Sequence, residues 1–392
     1  MSDYDPLDAA TVADPYPVYE RLRKNSPVFW SERFGSWIVT RYSDCHSVLS
    51  DVDVFASDWR RAGHEAPPTA ALSMQELDPP DHTPVRRLFT TALRDQDLDA
   101  IGAFAVRDTA AVFEQLADAP SFDFTAEVAR PVALQAVCRL LGVDPPPVAA
   151  FAELSDALVR GMDAGLLPEV LEPAMAARSR INELMNEWFT AGRGPGLLAQ
   201  VLDGAGAAGI TDDAVWNNVR VLFLAGFSTT VGAAANAVLA LLEHPGTLER
   251  LRDPALLDSG VEELLRYDGP VQGTTRACVE TTKIDGITVE RGQLVLALFG
   301  AANRDPERFA SPNELLLDRH PNRHLSLGWG PHACSGALLA RIIIRALVQE
   351  LLAAPAPPRL AAPPVRVPRA TLRYPDRLPV TFQNAESESH DH

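Results

Sequence analysis

The spacing of apolar and polar residues predicts a chain built mostly of helices. Between residues 83 and 202 apolar side chains recur at helical intervals, and Pro-containing joints at 144–147 and 194–195 interrupt the pattern. Residues 27–42 differ, because two aromatic and β-branched runs flank a glycine-containing turn. This arrangement predicts a β-hairpin ahead of the helical region.

A long apolar segment follows the helical region. Thr211 precedes two acidic residues and is a candidate N-cap for the helix that would contain this apolar segment. Residues 221–242 carry no formal charge, and an uncharged stretch of this length could by itself span a bilayer. Hydroxyl and amide side chains interrupt the apolar character, so a fully buried central helix is the better interpretation.

The last third of the chain alternates short elements with irregular stretches. We predict helices at 256–267 and from just after Cys334 to 352, strands at 283–289 and 293–299, an irregular meander at 304–323, short strands in the Pro-rich remainder, and a disordered tail at 384–392. The predicted fold class is mainly α with small β-sheets, with one domain over residues 1–383.

Composition narrows the class of protein. The 392 residues are 46% hydrophobic and no Gly/Ser linker divides them, which favours one large domain. A formal net charge of −17 argues against nucleic acid or an anionic membrane as a partner. The N-terminus resembles no signal peptide, and the four cysteines show no pairing pattern. We therefore expect a cytoplasmic location.

Residues 324–336 carry the most chemical information. Gly328 and Gly330 precede Cys334, Gly336 follows it, and an apolar helical run begins directly afterwards. The cysteine would therefore lie in a tight loop at a helix N-terminus, where backbone N–H groups stabilise a thiolate. Such a thiolate serves as a nucleophile, a metal ligand or a haem ligand. A zinc site is disfavoured because it would need more Cys or His at short spacing, and His332–Cys334 stands alone.

This segment resembles the haem-binding loop of the cytochrome P450 family, Phe-x-x-Gly-x-His/Arg-x-Cys-x-Gly, with Leu327 in place of the phenylalanine. The resemblance implies haem b (iron protoporphyrin IX) with Cys334 as the iron ligand and Gly328 and Gly336 shaping the loop. It also implies the cytochrome P450 fold, a single triangular-prism-like domain. The haem would lie between the long central helix and the helix after Cys334.

Three other segments match the family's pattern. The family's Glu-x-x-Arg motif corresponds to Glu263 and Arg266, and Arg319 matches the residue that completes a buried Glu–Arg–Arg cluster, so these three imply a structural role. The resemblance further implies haem propionate contacts for His82, Arg86, Arg276 and His332. His82 and Arg86 stand four residues apart, which places them on one helix face.

The central helix carries the fourth match, Ala225-Gly226-Phe227-Ser228-Thr229-Thr230. In the family this stretch opens a groove over the haem, and the residue matching Thr229 steers protons to bound oxygen. We therefore name Ala225, Gly226, Ser228 and Thr229 as catalytic candidates. Ser228 replaces the family's usual Asp or Glu, and a hydroxyl relays protons but does not act as a neutral-pH base.

The resemblance implies a monooxygenase that receives electrons from a ferredoxin-type donor with its reductase. Hydroxylation of a medium-sized organic molecule in specialised metabolism is the favoured reaction. Oxidative coupling, a peroxide-driven oxygenase and a non-catalytic haem-binding recruitment module remain alternatives. The family's pattern assigns a substrate pocket to segments near 162–171 and 371–374 and to Trp59, Met74, Leu222, Gln272, Gly273 and Thr274. A basic docking patch for the donor is predicted from Arg87, Arg94, Arg323, Arg341 and Arg345.

Overall fold

The computed structural model of the protein describes residues 4–65, 69, 72–190, 194–354 and 356–383. The predicted disordered tail at 384–392 lies outside these residues. The described α-helices are α1 (Ala9–Ala13), α2 (Tyr16–Asn25), α3 (Tyr42–Ser50), α4 (His82–Arg94), α5 (Leu98–Leu116), α6 (Arg130–Leu141), α7 (Val148–Gly161), α8 (Leu171–Thr190), α9 (Leu197–Ala205), α10 (Asp212–Glu243), α11 (Thr247–Arg250), α12 (Pro254–Tyr267), α13 (Phe299–Ala302) and α14 (Ala337–Ala353).

Helix α10 is the central helix that the apolar segment predicts. Thr211 caps it, because its side-chain oxygen accepts a hydrogen bond from the Ala214 backbone N–H at 3.3 Å. Among the described residues it is the helix long and apolar enough to cross a membrane, yet 67% of its most apolar window is buried inside the protein. It packs against α6 and α14 in the largest hydrophobic core, which confirms the buried-helix interpretation.

The strands form small sheets beside this helical core. They are β1 (Val28–Ser31), β2 (Ser36–Val39), β3 (Phe55–Ala56), β4 (Phe122–Asp123), β5 (Gly273–Cys278), β6 (Thr282–Ile284), β7 (Ile287–Val289), β8 (Leu294–Leu298), β9 (Arg359–Leu360) and β10 (Pro379–Thr381). The predicted hairpin is confirmed, since β1 and β2 pair antiparallel with Val28 opposite Val39. The hairpin joins the five-stranded sheet β1-β2-β8-β5-β3.

Several element predictions need correction. The predicted strand at 283–289 is instead the β6–β7 hairpin, and its turn residues Asp285 and Gly286 both have positive φ. Strand β5, which pairs antiparallel with β8, was not predicted, nor was the π-helix Phe124–Ala129 inside the helical region. The meander at 304–323 is confirmed, because the structure has neither helix nor strand there.

Candidate active site

The loop that presents Cys334 is shaped by its glycines and its own backbone. Gly328 and Gly330 both have φ of +69°, a conformation that residues with a Cβ rarely adopt. A Cβ on Gly330 would lie 2.6 Å from the Leu49 carbonyl oxygen. The Cys334 N–H donates to the Leu327 carbonyl at 2.8 Å, and Gly336 is the N-cap of α14. The predicted tight loop at a helix N-terminus is therefore present.

The Cys334 thiol is accessible, whereas the other three cysteines are buried. The surrounding protein nevertheless raises the pKa of the Cys334 thiol, and the Gly336 backbone N–H and the guanidinium groups of Arg86 and Arg341 oppose that rise. The helix N-terminus thus lowers the pKa of the Cys334 thiol, as predicted, but this effect is smaller than the rise that desolvation causes. A bound cation at the sulfur would supply the missing stabilisation of the thiolate.

Four basic side chains predicted to act together converge beside this loop. The ring of His82, at the start of α4, lies 4.6 Å from the ring of His332, centroid to centroid. Arg86 donates to the Ser335 hydroxyl at 2.7 Å and to the Ala333 carbonyl at 2.5 Å, which ties α4 to the Cys334 loop. Arg276 is buried on β5, where it donates to Thr274 and to the Thr275 carbonyl, and its charge interacts with that of Asp78, which in turn contacts His332.

Asp78 is a buried member of this cluster that sequence reasoning missed. Its carboxylate lies 3.1 Å from His332 Nε2 and 3.2 Å from an Arg61 nitrogen, and it accepts the Asp58 N–H at 2.9 Å. Burial opposes ionisation, but the hydrogen bonds from His332 and from the Asp58 N–H lower the pKa of Asp78. The available signal was its place in Asp78-Pro79-Pro80, four residues ahead of His82.

The cluster fits a buried dicarboxylate such as haem b. His82 Nε2 is buried with no hydrogen-bond partner, and burial and the neighbouring His332 and Arg86 lower the pKa of His82 to about 4. No carboxylate lies within 4 Å of Arg276 in the described part of the chain, and burial lowers its pKa to about 10. A buried guanidinium without a close counterion and a buried imidazole nitrogen without a hydrogen-bond partner are both costly, so the site is built to receive anionic, hydrogen-bonding groups beside an accessible thiol.

One stripe of α10 is accessible although most of the helix is buried. Leu222, Ala225 and Thr229 are half-buried at spacings of three and four residues, whereas Ser228 is buried. The Thr229 hydroxyl donates to the Ala225 carbonyl at 2.6 Å, and the Ser228 hydroxyl donates to the Leu224 carbonyl at 2.9 Å. Both hydroxyls therefore bond one turn back, as mid-helix hydroxyls often do.

Gly226, named as a catalytic candidate, has a packing explanation. A Cβ at this position would lie 2.6 Å from Val137 Cγ2 on α6. The glycine therefore permits the close approach of α6 and α10. The structure thus gives Gly226 a packing role, and its catalytic role stays a prediction.

The predicted Glu–Arg–Arg cluster is assembled in the structure. The fully buried Glu263 carboxylate binds Arg266 Nε at 2.7 Å and Arg319 Nε at 2.9 Å. It also accepts hydrogen bonds from the Leu316 N–H and the Asn322 side-chain amide, so four residues, the two arginines among them, bind this carboxylate and fix this part of the meander. Arg266 and Arg319 extend the network to meander carbonyls, including those of Pro312 and Ala310. This cluster connects α12 to the segment that leads into the Cys334 loop.

Three of the predicted pocket residues lie beside the cluster of basic residues or along α10, and Gln272 is used elsewhere. Thr274 contacts Arg276, Leu222 lies on the accessible stripe of α10, and the buried Met74 donates its N–H to Asn218 of α10 at 2.7 Å. Gln272 is corrected, because its side chain bonds Tyr19 of α2 and the Gly269 carbonyl and is already used in packing.

The remaining two pocket candidates are Trp59 and Gly273. Trp59 is 38% exposed and packs near His64, and a Cβ on Gly273 would meet the Ala297 carbonyl at 2.6 Å. Gly273 therefore serves the pairing of β5 with β8.

The predicted basic patch is partly neutralised. Arg341 pairs with Glu262 and Arg345 with Asp258, so two arginines of α14 face two acids of α12 at matching four-residue spacing. In the described structure Arg87, Arg94 and Arg323 are exposed and have no carboxylate within 4 Å. These three arginines are the remaining positive charges of the predicted patch.

The accessible cysteine lies in a glycine loop beside buried and half-buried basic residues, at the start of a helix that packs on the central helix α10, and this arrangement is the one expected of a haem-thiolate protein. Comparisons with known proteins agree. The family model "Cytochrome P450" matches residues 196–354. The chain is 34% identical over 362 residues to the cytochrome P450 monooxygenase PikC of Streptomyces venezuelae, covering 89% of this chain and 86% of that protein.

Two further relatives extend the likeness over nearly the whole chain. The beta-dihydromenaquinone-9 omega-hydroxylase of Mycobacterium tuberculosis is 29% identical over 391 residues, which covers 97% of this chain and 78% of that protein. The epothilone D-bound structure of cytochrome P450epoK matches with a TM-score of 0.89 and 25% identity, covering 98% of this chain and 100% of that one.

This chain therefore belongs to the cytochrome P450 family. Its fold is the cytochrome P450 fold, its cofactor is haem b, and it is an oxidoreductase of the monooxygenase type. The predictions of fold, cofactor and enzyme class are confirmed.

Proposed function

We propose that this cytochrome P450 hydroxylates a medium-sized organic molecule in specialised metabolism, in the cytoplasm, using electrons from a ferredoxin-type donor with its reductase. The observation that carries the proposal is the accessible Cys334 thiol beside four convergent basic side chains. Cys334 would be the iron ligand, and His82, Arg86, Arg276 and His332 would bind the propionates. Bound there, the haem supplies the activation of dioxygen for attack on a C–H bond.

The two neighbouring hydroxyls of α10, those of Thr229 and Ser228, would have different roles. Thr229 lies on the accessible stripe and keeps two lone pairs while its proton bonds the Ala225 carbonyl, so it can accept a hydrogen bond from a ligand or a water. Ser228 is buried, and its hydroxyl proton is engaged by the Leu224 carbonyl. Thr229 with ordered water would therefore deliver protons, and Ser228 would hold the helix turn.

The nature of the reaction is supported by relatives and by one departure from the family's pattern. A hydroxylase named for its omega-hydroxylation of a dihydromenaquinone aligns with 97% of this chain, which favours hydroxylation. The epothilone-bound relative favours a sizeable organic substrate. Ser228 in place of the usual acid favours oxidative coupling as the second candidate, since coupling places different demands on proton supply.

An optical titration of the purified, haem-loaded ferric protein against a metabolite library tests the proposal. A saturable shift of the Soret band from the low-spin to the high-spin form identifies a ligand, and its turnover with a ferredoxin and reductase should give a hydroxylated product. A coupled product would favour the second candidate. Tight ligands that are never turned over by electrons or peroxide would instead favour a recruitment module.

The donor would dock on the face that carries Arg87, Arg94 and Arg323. Reduction by an acidic ferredoxin should slow as ionic strength rises, because salt screens attraction between charged surfaces. Replacing Arg87 and Arg94 with glutamine should weaken that salt dependence. Reduction that is insensitive to salt in the unaltered protein would remove the support for this docking face.

A further inference from the structure

A small cavity lies apart from the haem site, between the N-terminal segment and the C-terminal turn. Its lining includes Tyr4 and Tyr19 together with Arg366, Arg369 and Arg373. The turn that carries these arginines is anchored to the segment before β5, because the Arg373 N–H donates to the Pro270 carbonyl at 2.7 Å. The free space accommodates a body about the size of one water molecule.

The carboxylates around this cavity leave one arginine without a close partner. Asp268 receives both hydrogen bonds of Arg373 NH1 at 2.7 Å and a third from the Tyr16 hydroxyl. Asp376 pairs with Arg369 and accepts the Val367 N–H. Both carboxylates are therefore already occupied by other donors.

Arg366 has no close carboxylate partner of its own among the described residues. Its NH2 lies 3.9 Å from an oxygen of the occupied Asp268, and no other carboxylate of the described residues comes within 4 Å of it. Its side chain is only 12% exposed. Burial and the nearby Arg373 lower the pKa of Arg366, which agrees with a positive charge that is short of compensation.

The same three arginines also hold unused donors. The Nε atoms of Arg366, Arg369 and Arg373 are buried, and none of them has a hydrogen-bond partner in the described structure. The side chains of Arg369 and Arg373 are 2% and 9% exposed, so bulk water does not satisfy these groups. Guanidinium groups donate and never accept, so an occupant of this cavity has to be an acceptor.

We infer that this cavity binds a small monovalent anion of halide size, such as chloride. An anion accepts from several donors at once and offsets the charge of Arg366, whereas a water molecule would need acceptors for its own two hydrogens. The side-chain amide oxygen of Gln272 at the cavity wall already accepts a hydrogen bond from the Tyr19 hydroxyl. By bridging the arginines, the anion would hold the C-terminal turn against the segment that leads into β5.

The test uses the purified, haem-loaded protein with sodium chloride or bromide substituted for sodium gluconate at constant ionic strength. A ligand that binds the folded state raises the melting temperature progressively with its concentration, so Tm should rise with halide and not with gluconate. A crystal grown in bromide should show an anomalous peak in the cavity. Ordered water in the cavity together with identical Tm in all three salts would overturn the inference.

Matched variants locate the effect. Arg366→Gln should weaken the apparent halide affinity by about tenfold or more, because it removes a charge-assisted donor. Arg377→Gln is the control, since Arg377 also lies 3.9 Å from its one carboxylate, Asp123, but is 69% exposed. An equal response in both variants would overturn the inference. If Arg366→Gln fails to fold, the bromide crystal of the unaltered protein still decides between anion and water.

Discussion

Asp78 is a buried carboxylate among the basic residues of the haem site, and it works as an organiser of that cluster. It contacts the His332 ring, Arg61 and the Asp58 backbone N–H at once, while its side chain is only 1% exposed. It thereby fixes His332, which lies two positions before Cys334. The cluster therefore contains its own counterion beside the cations that await the propionates.

Replacing Asp78 with alanine should cost about 2–3 kcal/mol of unfolding free energy, because it leaves buried donors without an acceptor. Denaturant unfolding of the variant measures the loss. Asp81→Ala is the matched control, since Asp81 lies in the same loop, is exposed and makes no capping bond. Equal costs for the two variants would contradict the role of Asp78.

Thr229 and Ser228 should differ sharply when each is replaced by alanine. With a compound identified by titration, Thr229→Ala should divert electrons to peroxide and lower product per electron pair by about tenfold or more, the scale of a lost proton-transfer group. Ser228→Ala should change the ratio by less than about twofold, because Ser228 is buried away from the accessible stripe on which Thr229 lies. Peroxide and product are measured together. A larger effect at Ser228 would reverse the assignment.

At the scale of elements, the contact between α6 and α10 depends on Gly226. Val137 is fully buried and β-branched within α6, so it has little freedom to move from an added methyl group. Gly226→Ala should therefore cost about 1–3 kcal/mol despite alanine's better helix propensity. Adding Val137→Ala should recover part of that loss in the unfolding free energy. A single variant as stable as the unaltered protein would show that the helices separate easily.

Helices α12 and α14 are joined by two ion pairs of unequal burial. Glu262 is 27% exposed and contacts Arg341, and its Oε2 lies 3.3 Å from His324 Nε2, whereas Asp258 in the second pair is 82% exposed. Burial opposes ionisation, but His324 and Arg341 lower the pKa of Glu262 to about 2. The stabilisation is therefore fully present above the ordinary glutamate pKa and is lost as pH falls toward 2.

Glu262→Gln should cost about 1–2 kcal/mol at pH 7, a figure reduced for partial exposure, and the cost should shrink as pH falls below about 4.5. Unfolding free energies measured over a pH series check the trend. Asp258→Asn should cost little at any pH, because exposed ion pairs contribute little. A cost for Glu262→Gln that does not change with pH would contradict the assignment.

At the scale of the whole molecule, the sequence was sufficient to predict those features whose signal lies within a single element. Thr211, the uncharged stretch of α10 and the glycines around Cys334 each carry their signal within a few residues. The Asp285-Gly286 turn also had a readable signal, since Asp-Gly favours a hairpin, and the single-strand prediction missed it.

Other features depend on contacts that no local pattern contains. Strand β5 contains glycine and arginine and forms through its pairing with β8. Asp78 reaches His332 across 254 positions, and Gly226 is required by Val137 of another helix. The pairing of Arg341 and Arg345 with acids of α12 is likewise tertiary, so the basic patch was predicted larger than it is.

The most direct test of the central claim is the absorption spectrum of the haem-loaded, reduced protein with carbon monoxide. The account predicts the strongly red-shifted Soret band of thiolate ligation in the unaltered protein and in Cys278→Ser, whose buried sulfur donates to the Glu280 carbonyl. Cys334→Ser should lose that band. A red-shifted band that survives in Cys334→Ser, or that is absent from the unaltered protein, would contradict Cys334 as the ligand.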